Sequence, residues 1–190
     1  MGRQLSPRTS LIPHLSGSMI CVFRTPWGWM GVSETTKGID AVVLPKSSRQ
    51  AVLSELGLLS ANLPQRPISP RLREAQAQLT GYLTGTRQSF DLPLDFSRGT
   101  GFQQKVWRTL QRISDGRLRS DQWVAARVGG RQYARAVGNA VAANPMPIVI
   151  PCHRIVAQDM SLGGFSCGLP TKRKLLTLEG TLAELRPGRS

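Results

Sequence analysis

Asn144-Pro145-Met146-Pro147-Ile148-Val149-Ile150-Pro151-Cys152-His153-Arg154 sets a thiol, an imidazole and a guanidinium side by side at the end of a proline-bracketed run. Nearby positive charge lowers the pKa of a cysteine, so Cys152 is a candidate thiolate nucleophile. An inert buried thiol is the competing reading. The three prolines and the β-branched residues between them predict a stiff, buried strand that ends at Cys152. Adjacent side chains on an extended chain point apart. A direct Cys152–His153 hydrogen bond is therefore awkward, and a bridging water is easier.

What must position this segment is a chain of 190 residues, 40% apolar and 19% charged, enough to bury a core in one unit or two small ones. No apolar run approaches the ~18 residues that span a bilayer. Thirteen prolines and nineteen glycines exclude a long coiled coil or an all-helical bundle. Cys21, Cys152 and Cys167 are too few and scattered for a disulfide scaffold. Two histidines and no Cys-x-x-Cys pair make a structural zinc site a poor fit. The net charge is +14, and residues 95–190 hold 15 basic against 6 acidic side chains, or +9. Such an excess suits a polyanion, either nucleic acid or an acidic membrane, although a basic surface kept for solubility gives the same count.

Residues 1–18 read as a flexible tail, and Met19 is a candidate start. Met19–Phe23, Trp29–Val32 and Ile39–Leu44 read as strands, the first two joined by a Pro26-Trp27-Gly28 turn. Gln50–Leu59 and Leu72–Leu83 read as helices, separated by a proline-rich connection over Pro64–Pro70. Phe90–Phe96 is extended. Phe102, Val106, Leu110 and Ile113 form one helical stripe. Ser120 suits an N-cap for a helix to Val128, and Gly129-Gly130 turns into a further helix over Gln132–Ala142. This is a helix-turn-helix pattern. The second helix carries Arg131 and Arg135 among Ala134, Ala136, Gly138 and Ala140. Small residues allow close approach, to DNA or equally to the protein's own core.

Residues 99–180 resemble the O6-alkylguanine-DNA alkyltransferases, also called methylated-DNA–protein-cysteine methyltransferases. The resemblance rests on Phe102-Gln103-Gln104-Lys105-Val106-Trp107, Ala134-Arg135-Ala136-Val137-Gly138, Asn144-Pro145, Ile150-Pro151-Cys152-His153-Arg154-Ile155, Gly164-Phe165-Ser166, and Leu175-Leu176 with Glu179-Gly180. It implies an α+β fold: a small α/β N-terminal domain over 19–96, then a mainly helical, winged-helix-like DNA-binding and alkyl-acceptor domain over 97–182, with a tail over 183–190. The implied partner is double-stranded DNA containing O6-alkylguanine, or O4-alkylthymine, flipped out of the stack. Arg135 matches the arginine that fills the vacated stack. Ala134, Gly138, Arg131, Ser120 and Asp121 fall on the implied DNA-binding surface. Cys152 matches the acceptor, His153 and Glu179 the water-mediated relay that deprotonates it, and Asn144 the residue that pins the turn. Pro147, Ile155, Phe165 and Ser166 line the implied base pocket, where the carbonyls of Cys152 and Ile155 and the amide of Ser166 hold the guanine. The product is a stable thioether, so each molecule acts once, as a monomer without a cofactor.

Three positions depart from the family pattern. Asp121 stands where most members have tyrosine; an ionised carboxylate cannot donate to the departing base and repels phosphate, though it suits a helix's first turn. Cys167 follows Ser166 where a small residue is usual, as a second thiol or a filler. Only Cys21 and His14 remain where some members bind zinc, so no such site is expected. Three other readings stay open: a catalytically weak sensor of alkylated bases on the same fold, a winged-helix regulator, and a cysteine hydrolase. The expected location is the reducing cytoplasm, associated with the nucleoid in a bacterium, with no membrane partner.

Overall fold

The three-stranded sheet that opens the fold is covered on both faces, so its second and third strands are buried over most of their length. The computed structural model describes residues 18–58 and 67–186. The tail expected before residue 18, His14, Pro64 and the last four residues lie outside the described residues. Strands β1 (Met19–Thr25), β2 (Gly28–Glu34) and β3 (Ile39–Lys46) form an antiparallel meander in the order β1-β2-β3. One face carries Cys21, Phe23, Met30, Val32, Val42 and Leu44, and the other Ala41 and Val43.

Each face is covered by a helix. Helix α1 (Arg49–Glu55) sets Val52 and Leu56 against Ala41 and Val43. It ends at Glu55, short of the Leu59 expected from sequence, because Leu56 caps it and Gly57 turns the chain with a φ of +74°. Helix α2 (Pro70–Leu83) begins where Ser69 accepts from the Leu72 amide and Pro70 supplies a preset φ. Its stripe of Leu72, Ala75, Leu79, Tyr82 and Leu83 closes the opposite face.

Helix α3 (Gly101–Leu110) opens with a capping box, Thr100 and Gln103 each bonding the other's backbone amide, worth about 1 kcal/mol to the helix start. Ile113, expected on its stripe, lies in the turn after it and is still buried. Helices α4 (Asp121–Val128) and α5 (Ala134–Ala142) make the helix-turn-helix. Ser120 caps α4 as its spacing predicts. The turn needs Gly130, whose φ is +134°. Arg131–Tyr133 form a 3-10 turn before α5, so the second helix starts two residues later than the sequence suggests. Trp107 Nε1 donates to the Ala140 carbonyl at 2.8 Å and ties α3 to α5.

The segment before Cys152 is not the strand expected. Residues 145–151 fold into a tight buried loop, with a bridge between Pro147 and Ile150 and a φ of +75° at Ile148. Extended prolines and a β-branched run could not make that reversal as a strand. The strand comes after the cysteine: β5 (Ile155–Val156) pairs in parallel with β4 (Arg119–Ser120). This ladder holds the start of α4 beside the Cys152 turn. Helix α6 (Leu169–Leu178) closes the fold. Beyond it the chain stays folded to Arg186, where a tail was expected from 183: Leu182 and Leu185 pack against Leu118, Val156 and Leu176. The architecture is thus α+β, a sheet domain followed by a mainly helical one, and a continuous buried cluster runs through both.

Candidate active site

Cys152 opens a 3-10 turn, Cys152–Arg154, and is 3% exposed. Asn144 builds its surroundings. The Asn144 Nδ2 donates to Cys152 Sγ at 3.0 Å and to the Ile150 carbonyl at 2.9 Å, while its Oδ1 accepts from the Met146 amide at 3.0 Å. One side chain therefore ties both ends of the loop to the sulfur. The loop is also fastened to the sheet, because the Val42 amide donates to the Pro145 carbonyl at 2.9 Å.

The 3-10 turn sets His153 in the core, where it is fully buried. His153 Nε2 lies 2.9 Å from Glu179 Oε1, and Nδ1 has no hydrogen-bond partner among the described residues. Glu179 caps the end of α6, yet its side chain is only 1% exposed, so it is no ordinary solvated acid. Burial alone would raise its pKa. Hydrogen bonds from His153 and Arg154, with the Arg154 charge, outweigh that and hold the carboxylate well below its usual range. Burial pushes the His153 pKa down, partly offset by Glu179, so the imidazole is neutral in the resting protein.

The thiolate expected from neighbouring positive charge is not what the fold provides. Burial pushes the Cys152 thiol up to about 12, against the lowering effect of the Asn144 hydrogen bond. Arg154 gives the sulfur no help, because its guanidinium is spent on Glu179, Asp115 and the Ile113 carbonyl. Cys152 is therefore a thiol at rest and needs a base when it reacts.

Tyr82 and Lys172 join this cluster without being candidates from sequence, and Arg154, expected to lower the thiol pKa, joins it in another role. Tyr82 reaches in from α2 and donates to Glu179 at 2.6 Å. Arg154 anchors the carboxylate. Lys172 is fully buried and donates to the carbonyls of Ile155, Leu162 and Gly164, which fixes the loop carrying Phe165 and Ser166. Burial lowers its pKa to about 8, opposed by Cys152 and Asp121. Lys172-Arg173-Lys174 reads as a solvated charge run, but 172, 175, 176 and 179 share one helix face. That spacing was the available signal.

The other candidate residues divide between two surfaces. Pro147 and Ile155 are buried beside the cysteine turn; Phe165 is half-buried and Ser166 exposed on the loop opposite. The Cys152 and Ile155 carbonyls each already accept one internal bond, from the Ile155 amide and Lys172 respectively, and each keeps a second lone pair. Arg131 and Arg135 are exposed on the helix-turn-helix, and nothing lies within 4 Å of where a Cβ on Gly138 would stand. Ser120 caps α4 and Asp121 is its first residue, half-buried. Burial raises the Asp121 pKa, against the pull of Lys172. Cys167 is partly buried, 3.9 Å from Ser166 Oγ.

A basic helix-turn-helix shares its half of the fold with a buried thiol and an imidazole–carboxylate pair, which defines a scaffold that sets a soft nucleophile and a cationic surface in one unit. Residues 101–181 match the family model for the DNA-binding domain of 6-O-methylguanine DNA methyltransferase. The chain is 44% identical over 110 residues to the constitutive methylated-DNA–protein-cysteine methyltransferase of Bacillus subtilis, spanning 58% of this chain and 66% of that protein. It is 44% identical over 107 residues to the Methanosarcina barkeri methyltransferase of the same name, spanning 56% and 67%. The crystal structure of Mycobacterium tuberculosis OGT in complex with DNA superposes with a TM-score of 0.68 at 30% identity, covering 86% of this chain and 94% of that one. The chain belongs to the methylated-DNA–protein-cysteine methyltransferase family.

Proposed function

We propose that this protein repairs DNA by moving the alkyl group of O6-alkylguanine irreversibly onto its own Cys152. The observation that carries this reading is the buried set of Asn144 on the sulfur and Glu179 on His153, with Nδ1 of that imidazole left as the bare nitrogen. The Sγ–carbon bond forms as the carbon–O6 bond breaks. The thiol proton passes through water to His153, and the departing guanine regains a proton from its surroundings. A thioether has no low-barrier route back, so one molecule performs one transfer.

The helix-turn-helix delivers the base. Arg135, on the exposed face of α5 with the small Ala134 and the open Gly138 position near it, is the residue to fill the gap left by a flipped nucleotide. Pro147, Ile155, Phe165 and Ser166 line the pocket that receives it. Incubation with a duplex containing O6-methylguanine should add one methyl group to the peptide bearing Cys152, read by mass spectrometry. Cys152→Ala should bind the duplex and leave it methylated. Methyl on another residue, or an active alanine variant, overturns the proposal. Tight binding without any methyl transfer identifies a sensor instead.

A further inference from the structure

Tyr82 belongs to the sheet domain, yet it touches two members of the proton relay in the other half of the fold. It is 2% exposed, its hydroxyl donates to Glu179 Oε1 at 2.6 Å, and the same oxygen lies 3.3 Å from His153 Nε2. Its ring is held against Phe90, with centroids 5.4 Å apart, and meets the His153 ring edge-on at 6.5 Å. Burial and the Glu179 charge drive its pKa far up, so the hydroxyl keeps its proton and stays a donor.

Hydrogen bookkeeping around these atoms leaves one arrangement. Glu179 is an acceptor only, so the His153 nitrogen facing it must carry a hydrogen. Tyr82 spends its proton on Glu179 and turns a lone pair toward that same Nε2–H. Both contacts select the Nε2–H tautomer and leave Nδ1 free to accept. We propose that Tyr82 is a positioning residue for alkyl transfer, fixing the Glu179–His153 pair so that Nδ1 is the base for the Cys152 proton. This role rests on the functional reading above.

The groups acting on His153 are Tyr82 from α2, Glu179 and Lys172 from α6, and Arg154 from its own turn; Asp115, after α3, acts through Arg154 and Glu179. Loss of the Tyr82 hydroxyl removes a donor from Glu179. The carboxylate then stabilises the imidazolium more strongly, so His153 protonates at higher pH. It also loosens the tautomer.

The test is Tyr82→Phe in the full chain, which keeps the ring packing. Single-turnover methyl transfer from an O6-methylguanine duplex is measured across pH, alongside Cys152 alkylation by iodoacetamide read by peptide mass. The variant should lose about tenfold in plateau rate, the scale of a hydrogen bond to a charged group, and the acid limb of both profiles should move to higher pH. An unchanged rate and limb, or a uniform loss with an unmoved limb, overturns the positioning role. A native protein that takes no methyl on Cys152 overturns the functional reading instead. In the native protein, the ring nitrogen shifts of His153 should report Nε2–H; an Nδ1–H imidazole overturns the proposal without any variant.

Discussion

Asp121 is the residue at which chemistry and fold pull apart. It starts α4 well, behind the Ser120 cap, yet it stands where the family resemblance implies a tyrosine beside phosphate. Two like charges about 4 Å apart near a surface repel by roughly 1–4 kcal/mol before screening. Here burial raises the carboxyl pKa and Lys172 answers part of the charge, so the smaller end applies. Asp121→Tyr should raise the single-turnover rate on a methylated duplex about tenfold, and Asp121→Asn should recover part of that by removing charge alone. If neither variant reacts faster than the native protein, Asp121 serves the helix start and not the DNA. The same scale fixes a pH dependence of stability. His153 is held neutral by burial, whereas an unfolded His takes its proton near 6.5. The unfolded chain therefore binds more protons below that value, and stability falls as pH drops. Glu179, held low, keeps its contribution above 4.5 and loses it as pH falls toward its folded value. Asp115 and Asp121, raised by burial, oppose this near pH 4. From about pH 7 to 5 the melting temperature should therefore decline, and the decline should flatten in His153→Gln. A constant melting temperature over that range would mean that the imidazole is charged in the fold.

Elements decide what a residue can do, and here the sequence was legible in uneven parts. The strands, α2, the Ser120 cap and the helix-turn-helix all carry local signals: apolar runs bounded by turn residues, a capping serine, a glycine turn. The loop before Cys152 does not. Its prolines and β-branched residues favour extension, and only the tertiary clamp of Asn144, the Ile148 turn and the bond to the sheet reverse it. Tyr82 lies on the apolar stripe of α2, but its partner is 97 residues away, beyond any spacing rule. The thiol pKa follows the same rule. Adjacency in sequence put Arg154 beside Cys152, whereas the turn sends the guanidinium to Glu179. At this scale, Arg135→Ala tests the helix-turn-helix as a delivery device. Repair of a methylated duplex should slow at least about tenfold, while reaction with free O6-benzylguanine stays near native, because a free base needs no flipping. Equal loss on both substrates would make Arg135 a structural residue of α5.

At the scale of the whole molecule, the two halves of the fold contribute different things to one event. The helical half holds the thiol and the exposed arginines, and the sheet half braces the cysteine loop through Val42 and the relay through Tyr82. A domain boundary near residue 96, as the sequence suggests, would thus separate folding units without separating functions. Charge follows the same division, since residues 95–190 hold +9 of the +14 total. Arg131, Arg135 and Arg127 lie exposed on the helix-turn-helix, where phosphates would displace condensed counterions. Each phosphate neutralised on B-DNA adds about −0.9 to the slope of log affinity against log salt, so three contacts cost roughly 40-fold between 50 and 200 mM. Binding of an undamaged duplex by the Cys152→Ala variant should therefore weaken at least that steeply, with little sequence preference. Arg127→Ala should reduce the slope by about one unit. An affinity that barely changes over that salt range would assign the basic excess to solubility and leave DNA recognition to the lesion pocket alone.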